Sequence, residues 1–116
     1  MAVLRGEPVF VISVAARLLQ MHPQTLRKYE REGLIQPSRT TGNLRLYSDR
    51  DIERLRQVKY LVDECGLNLA GVQLALAMTH HLREIRGKVD ASSPDEVRRD
   101  IDGVLRTLGI FEDPHR

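Results

Sequence analysis

The sequence has no tryptophan, two phenylalanines and three tyrosines, so aromatics supply only 4% of a chain that is 41% hydrophobic. A mainly aliphatic core of this size suits one compact domain, and such cores often gain burial from a partner subunit. A single cysteine, Cys65, excludes an internal disulfide and a cysteine-clustered metal site, and fits a reducing compartment. No apolar run approaches the ~20 residues of a membrane helix. The opening MAVLRGEPVF also lacks the apolar stretch of a signal peptide. A soluble, intracellular protein with no membrane partner is expected.

Catalytic patterns are missing too. There is no Walker-type phosphate loop, no nucleophile elbow and no H-E-x-x-H. The sequence therefore argues against an enzyme and implies no cofactor. His80 and His81 are adjacent on a helical stretch, where neighbouring side chains diverge by about 100°, a poor arrangement for sharing a metal. Cys65 beside Gly66 reads as a small apolar residue rather than a redox sensor.

What is present is an uneven charge. The chain of 116 residues carries a net +2, but residues 1–59 hold 11 Lys+Arg against 6 Asp+Glu and residues 60–116 hold 7 against 10. The halves therefore balance at +5 and −3. A basic first half suggests a polyanion-binding module joined to something else.

Local signals organise the chain. Val9-Phe10-Val11-Ile12 is an apolar run too short to assign as a strand. Ser13 is expected to cap a helix beginning at Val14, with Ala15, Leu18 and Leu19 on one face. His22-Pro23 opens a second helix, where proline suits the first position because its missing N–H would have no partner. Gly33 supplies the left-handed stop. Two short helices joined in this way make a helix-turn-helix.

Residues 34–47 are rich in turn formers (Pro37, Ser38, Thr40, Thr41, Gly42, Asn43), and Leu44-Arg45-Leu46-Tyr47 alternates like a strand. A two-stranded wing is expected. Ser48 and Asp51 form a capping box for a helix carrying Ile52, Leu55, Val58, Leu61 and Val62, which Gly66 ends. Asn68 is expected to cap a fourth helix with Leu69, Val72 and Leu76. Ala75, Met78, Leu82, Ile85 and Val89 then follow at heptad spacing over about two heptads, weakened near the end by Gly87. Ala91-Ser92-Ser93 reads as a break. Ser93-Pro94-Asp95-Glu96 starts a last helix with the stripe Val97, Ile101, Val104, Leu105 and Leu108, closed by Gly109.

The reading is mainly α: a winged helix-turn-helix over 9–77 and a C-terminal helical segment, 78–116, for dimerisation or regulation. Helix-turn-helix proteins place the second helix in the major groove. Its outward residues here are Gln24, Arg27 and Lys28. Arginine matches the two acceptors of guanine, and glutamine pairs with adenine through its amide. Arg39, Arg45 and Tyr47 on the wing suit phosphates or the minor groove. Taken singly, each basic residue could merely solvate a helix face. The helix start, the stop, the wing and the charge split agree with one another. With Ser13, Thr25 and Tyr29, the candidate DNA-binding set is Ser13, Gln24, Thr25, Arg27, Lys28, Tyr29, Arg39, Arg45 and Tyr47. Tyr29 and Tyr47 could equally pack their rings between helices and wing. Met78, Leu82, Ile85 and Val89 are the candidate dimer seam, although that seam could also fold back on its own chain.

The pattern Thr25-Leu26-Arg27-x-Tyr29-Glu30-x-x-Gly33-Leu34-x-x-Pro37, followed by Arg39, Arg45 and Tyr47-Ser48, closely resembles the DNA-binding domain of MerR-type transcriptional regulators. The resemblance runs from about Val11 to Leu76. Three segments, Pro8 to Ala16, His22 to Arg27 and Asn68 to Val72, look like the heat-shock repressors (HspR) within that superfamily. The glutamine-synthetase repressors of Gram-positive bacteria share the Asn68–Val72 and Gly42–Tyr47 patterns but not His22-Pro23-Gln24.

This resemblance implies a dimer on inverted-repeat operators that represses chaperone and protease genes in the bacterial cytoplasm, at the nucleoid. It also implies that the DnaK chaperone can serve as co-repressor. Gln24, Arg27 and Lys28 match positions facing bases or nearby backbone, and Thr25, Tyr29, Arg39, Arg45 and Tyr47 match phosphate or wing positions. The chain departs from the superfamily where Leu44 stands in place of a common wing aromatic, in lacking the metal-sensing cysteines, and in having no sizeable effector domain. The alternatives are a nitrogen-metabolism repressor, a small winged recombination or architectural factor, and a protein-binding adaptor with vestigial DNA contacts.

Overall fold

The computed structural model describes residues 7–89, 93–107 and 110. The element order is β1 (Pro8–Val11), α1 (Ile12–Leu19), α2 (Pro23–Arg31), β2 (Ser38–Arg39), β3 (Arg45–Ser48), α3 (Asp49–Asp63), α4 (Leu69–Lys88) and α5 (Pro94–Thr107). The chain divides into two compact units, with the boundary between Leu69 and Ala70.

In the first unit, α1 packs on α2, α3 and the sheet. Ala15, Ala16, Leu19, Leu26, Tyr29, Leu34, Ile35, Tyr47, Ile52, Leu55 and Val58 are buried. The sheet has three antiparallel strands in the order β1-β3-β2. The expected two-stranded wing is thus β2 and β3, and Pro8–Val11, most of the apolar run Val9–Ile12 among it, supplies the third strand, with Phe10 opposite Tyr47 and Val11 opposite Leu46. Its partner lies more than 30 residues away in sequence, a pairing that no local pattern encodes.

That strand corrects two expectations about α1. The helix begins at Ile12, not Val14, and its N-cap is Val11, with no side-chain cap. Ser13 lies inside the first turn, because the strand leads straight into the helix. The buried face is Ala15, Ala16 and Leu19, while Leu18 is exposed. The α1 C-terminus closes on Gln20, a non-glycine residue at φ 53°. Its carbonyls are served by Lys59 of α3, whose Nζ donates to Leu19 O at 3.0 Å and Gln20 O at 3.4 Å. A cation at a helix C-terminus also complements the helix dipole.

Helix α3 starts with the expected capping box. Asp51 N donates to Ser48 Oγ at 3.1 Å, and Ser48 N donates to Asp51 Oδ2 at 2.9 Å. Gly66 follows the helix with φ 68°.

In the second unit, α4 is one helix of 20 residues that runs through Gly87 to Lys88. Val72 and Leu76 are buried. Ser93 caps α5 as expected, its Oγ accepting from Glu96 N at 3.3 Å. Lys88 Nζ and Asp100 Oδ2 pair at 3.1 Å, and His81 Nε2 lies 3.5 Å from Thr107 Oγ1, so α4 and α5 are tied at two places. Val104 is buried and Ile101 is exposed. The expected break at Ala91-Ser92, the stripe residue Leu108, the stop Gly109 and the tail from Phe111 onward fall outside the described residues. No described helix is long and apolar enough to cross a membrane.

Candidate nucleic-acid interface

Helix α2 is set at both ends by its own sequence. At its start, His22 Nδ1 accepts from Gln24 N at 3.0 Å, with Pro23 at the first helical position. At its end, Gly33 takes φ 78°, Gly33 N donates to Glu30 O at 3.0 Å and Leu34 N donates to Tyr29 O at 3.0 Å. That pair of bonds satisfies the last carbonyls in the manner of a Schellman stop. Arg54 of α3 fixes the exit by donating from Nε to Leu34 O at 2.7 Å.

One face of α2, Leu26 and Tyr29, is buried. The other presents Gln24, Lys28 and Arg31, all exposed, with Thr25 and Arg27 half-buried at its margins. Positions 24, 28 and 31 are spaced by four and three residues and so share a face. Lys28 also lies 3.9 Å from Glu32, a loose pair in which the lysine side chain is 62% exposed, so it restrains Lys28 little.

The wing is a tight hairpin. Thr40 N donates to Leu44 O at 2.9 Å, Asn43 N to Thr40 O at 2.9 Å and Leu44 N to Thr40 Oγ1 at 3.1 Å. Asn43 takes φ 66°, a conformation its short polar side chain tolerates. Leu44, at the tip, is 49% exposed.

Just below the tip, Arg39 and Arg45 are directly opposed across the ladder. Like charges so placed repel. Glu30, on α2, lies between them: Arg39 Nη2 donates to its Oε1 and Arg45 Nε to its Oε2, each at 2.6 Å. Arg39 Nη1 also reaches Asn43 O at 3.4 Å. Burial alone would raise the Glu30 carboxyl; the hydrogen bonds from Arg45 and Arg39 outweigh it and hold the group below its ordinary value.

Tyr47 lies deeper. Its ring is 0% exposed, and its hydroxyl has no hydrogen-bond partner among the described residues. Burial, then the Glu30 charge, raise that hydroxyl, while Arg45, Arg27 and Arg39 act in the opposite sense. Tyr29 is likewise buried, and burial with the charges of Asp63 and Glu32 raises it. Both rings are thus buried within the first unit.

The structure therefore groups Gln24, Thr25, Arg27, Lys28, Arg39 and Arg45 on α2 and the wing, with Tyr29 and Tyr47 packed within the same unit. Ser13 is exposed on α1. Two further residues join this group. Arg31 continues the exposed α2 face, and its spacing from Gln24 and Lys28 could have shown it. Glu30 bridges residues 9 and 15 positions away, and only its place as a carboxylate among basic residues hinted at the pairing.

In the second unit, Met78 and Ile85 are half-buried, whereas Leu82 and Val89 are 55% and 62% exposed. No group of three His, Cys, Asp or Glu able to hold a metal occurs among the described residues.

Comparison with known proteins matches this architecture. A family model described as "MerR HTH family regulatory protein" covers residues 10–79. The putative heat shock protein HspR of Streptomyces coelicolor is 51% identical over 81 residues, covering 70% of this chain and 54% of that protein. The match thus spans about half the length of that relative. The HTH-type transcriptional regulator GlnR of Bacillus cereus is 34% identical over 110 residues, covering 92% of this chain and 84% of that protein. The HTH-type transcriptional regulator MlrA of Escherichia coli is 37% identical over 70 residues, 60% of this chain and 28% of that protein.

Proposed function

This chain belongs to the MerR family of helix-turn-helix transcriptional regulators, and we propose that it is a sequence-specific repressor of heat-shock genes. It binds inverted-repeat operators of chaperone and protease genes as a dimer. In this reading residues 9–77 hold the DNA, and 78–116 dimerise or regulate.

One observation carries the proposal: the exposed α2 face of Gln24, Lys28 and Arg31 ends at a wing whose two opposed arginines are fixed to the same helix through Glu30. A reading helix and a cationic clamp held in one frame suit base readout combined with backbone positioning. The identity to HspR supports the heat-shock assignment. Gln24, Arg27 and Lys28 are assigned to bases or adjacent backbone, and Arg39 and Arg45 to phosphates. Thr25 and Ser13 are assigned to backbone contacts, with Tyr29 and Tyr47 supporting the frame from within. Leu82 and Val89, with Met78 and Ile85, are assigned to the partner subunit. Co-repression by the DnaK chaperone rests on the family resemblance alone.

Gel shift with the full chain on a chaperone-operon promoter tests this. A discrete complex that survives excess competitor duplex is expected, and purified DnaK should strengthen it. A complex competed equally by any sequence would end the repressor reading and favour an architectural factor. A nitrogen-metabolism repressor is the second reading, favoured by the Asn68–Val72 and Gly42–Tyr47 segments. It would be adopted if a glutamine-synthetase promoter were bound and the chaperone promoter were not. Sedimentation of the full chain should give a dimer at micromolar concentration; a strict monomer would favour the recombination-factor alternative.

A further inference from the structure

The opposed arginines of the wing raise a question that their charge alone does not answer. A pair of unrestrained cations next to a reading helix would attract any duplex, because phosphate attraction is independent of sequence. Such a pair would also splay apart, since directly opposed like charges repel.

Glu30 acts on both problems. Its carboxylate spends one oxygen on each arginine, through Arg39 Nη2 and Arg45 Nε, both at 2.6 Å. The Glu30 and Arg45 side chains are largely covered, 20% and 27% exposed, and that of Arg39 is 35% exposed. Their bonds are therefore less screened than those of surface pairs. The Nε bond leaves the two terminal nitrogens of Arg45 without a hydrogen bond among the described residues, available to a bidentate acceptor. The carboxylate is anchored on α2 one residue beyond Tyr29, whose ring is buried. The helix that reads bases thus also dictates where the wing cations stand.

We propose that Glu30 is a specificity-determining positioning residue, which fixes Arg39 and Arg45 relative to α2 and cancels part of their charge, so that the wing clamps DNA only when α2 is in register. The proposal rests on the DNA-binding reading above and adds that the carboxylate lowers non-specific binding while preserving operator binding.

The test compares the full-length wild type with Glu30→Gln and Glu30→Asp by fluorescence anisotropy. The probes are the chaperone-promoter duplex and a scrambled duplex of the same composition, each over a series of salt concentrations. For Glu30→Gln the scrambled duplex should bind about three- to tenfold more tightly, with a log–log salt slope steeper by about one. The promoter should gain less or lose affinity, so that the specificity ratio falls by about tenfold. Glu30→Asp keeps the charge but is one methylene shorter; its ratio should fall with the slope unchanged.

Equal changes on both duplexes at constant slope, or no change on the scrambled duplex, would overturn the proposal. The scrambled-duplex arm needs no operator, so it reads the charge effect even if the heat-shock assignment fails. Should Glu30→Gln not fold, Glu30→Asp and the wild-type NMR spectrum still decide. The Arg45 Nε–H signal should be resolved and slow to exchange in the free wild type, and a rapidly exchanging signal would contradict the fixed pairing.

Discussion

Arg39 and Arg45 stand directly opposite one another in the β2–β3 ladder, and both donate to a single carboxylate, that of Glu30 on α2. Their arrangement joins two parts that the sequence keeps separate, the reading helix and the wing. It also sets an acid limit to the geometry. Because the folded carboxyl is held below its ordinary value, its contribution to stability is fully present above the unfolded value of about 4.3. That contribution is lost as pH falls through the lower folded value. Urea midpoints measured from about pH 6 to pH 3 should fall more steeply for wild type than for Glu30→Gln. Parallel profiles would show that the carboxylate is not held by the arginines.

Arg27 and Arg39 should separate base reading from phosphate contact. Arg27→Ala should cost about 1–3 kcal/mol on the operator and relax discrimination at one base position. Arg39→Ala should weaken the operator and flatten its salt dependence by about one unit of slope, without relaxing discrimination at any single base position. Binding isotherms on operator and mismatched duplexes check both, and interchangeable behaviour of the two variants would contradict the assignment.

Ser48 is the buried hydroxyl of the α3 capping box, where β3 hands over to the helix. Ser48→Ala removes the acceptor for Asp51 N and should cost about 1 kcal/mol, within the usual 0.5–2 range for such caps. Thermal denaturation should show a drop of several degrees, and an unchanged midpoint would mean that water replaces the cap without loss.

Gly33 stops α2 at φ 78°, and a methyl group added there would meet nothing within 4 Å. Gly33→Ala should therefore cost about 1–2 kcal/mol through backbone conformation alone. Chemical denaturation reads the loss. A much larger value would point to a clash that the geometry excludes.

Much of this fold was legible because its signals are local. Pro23, Gly33, the Ser48–Asp51 box and Ser93 each act within three or four residues, and each marks a real helix end. The wing was legible for the same reason, through Thr40, Gly42 and Asn43. What escaped was long-range. Val11 pairs with Leu46, so a strand took the place expected of a Ser13 cap. Lys59 closes α1 from 40 residues away. Glu30 looked like one acid in a basic stretch, and only the folded chain brings both wing arginines to it. At Tyr47 the residue pattern left surface contact and packing open, and only the folded chain shows its ring fully buried.

The central claim, a winged module that reads one DNA sequence, is tested most directly by footprinting the full chain on a chaperone-operon promoter at near-physiological salt. A protected inverted repeat is expected at concentrations that leave flanking DNA open to cleavage. Uniform protection of the fragment, or none, would contradict it.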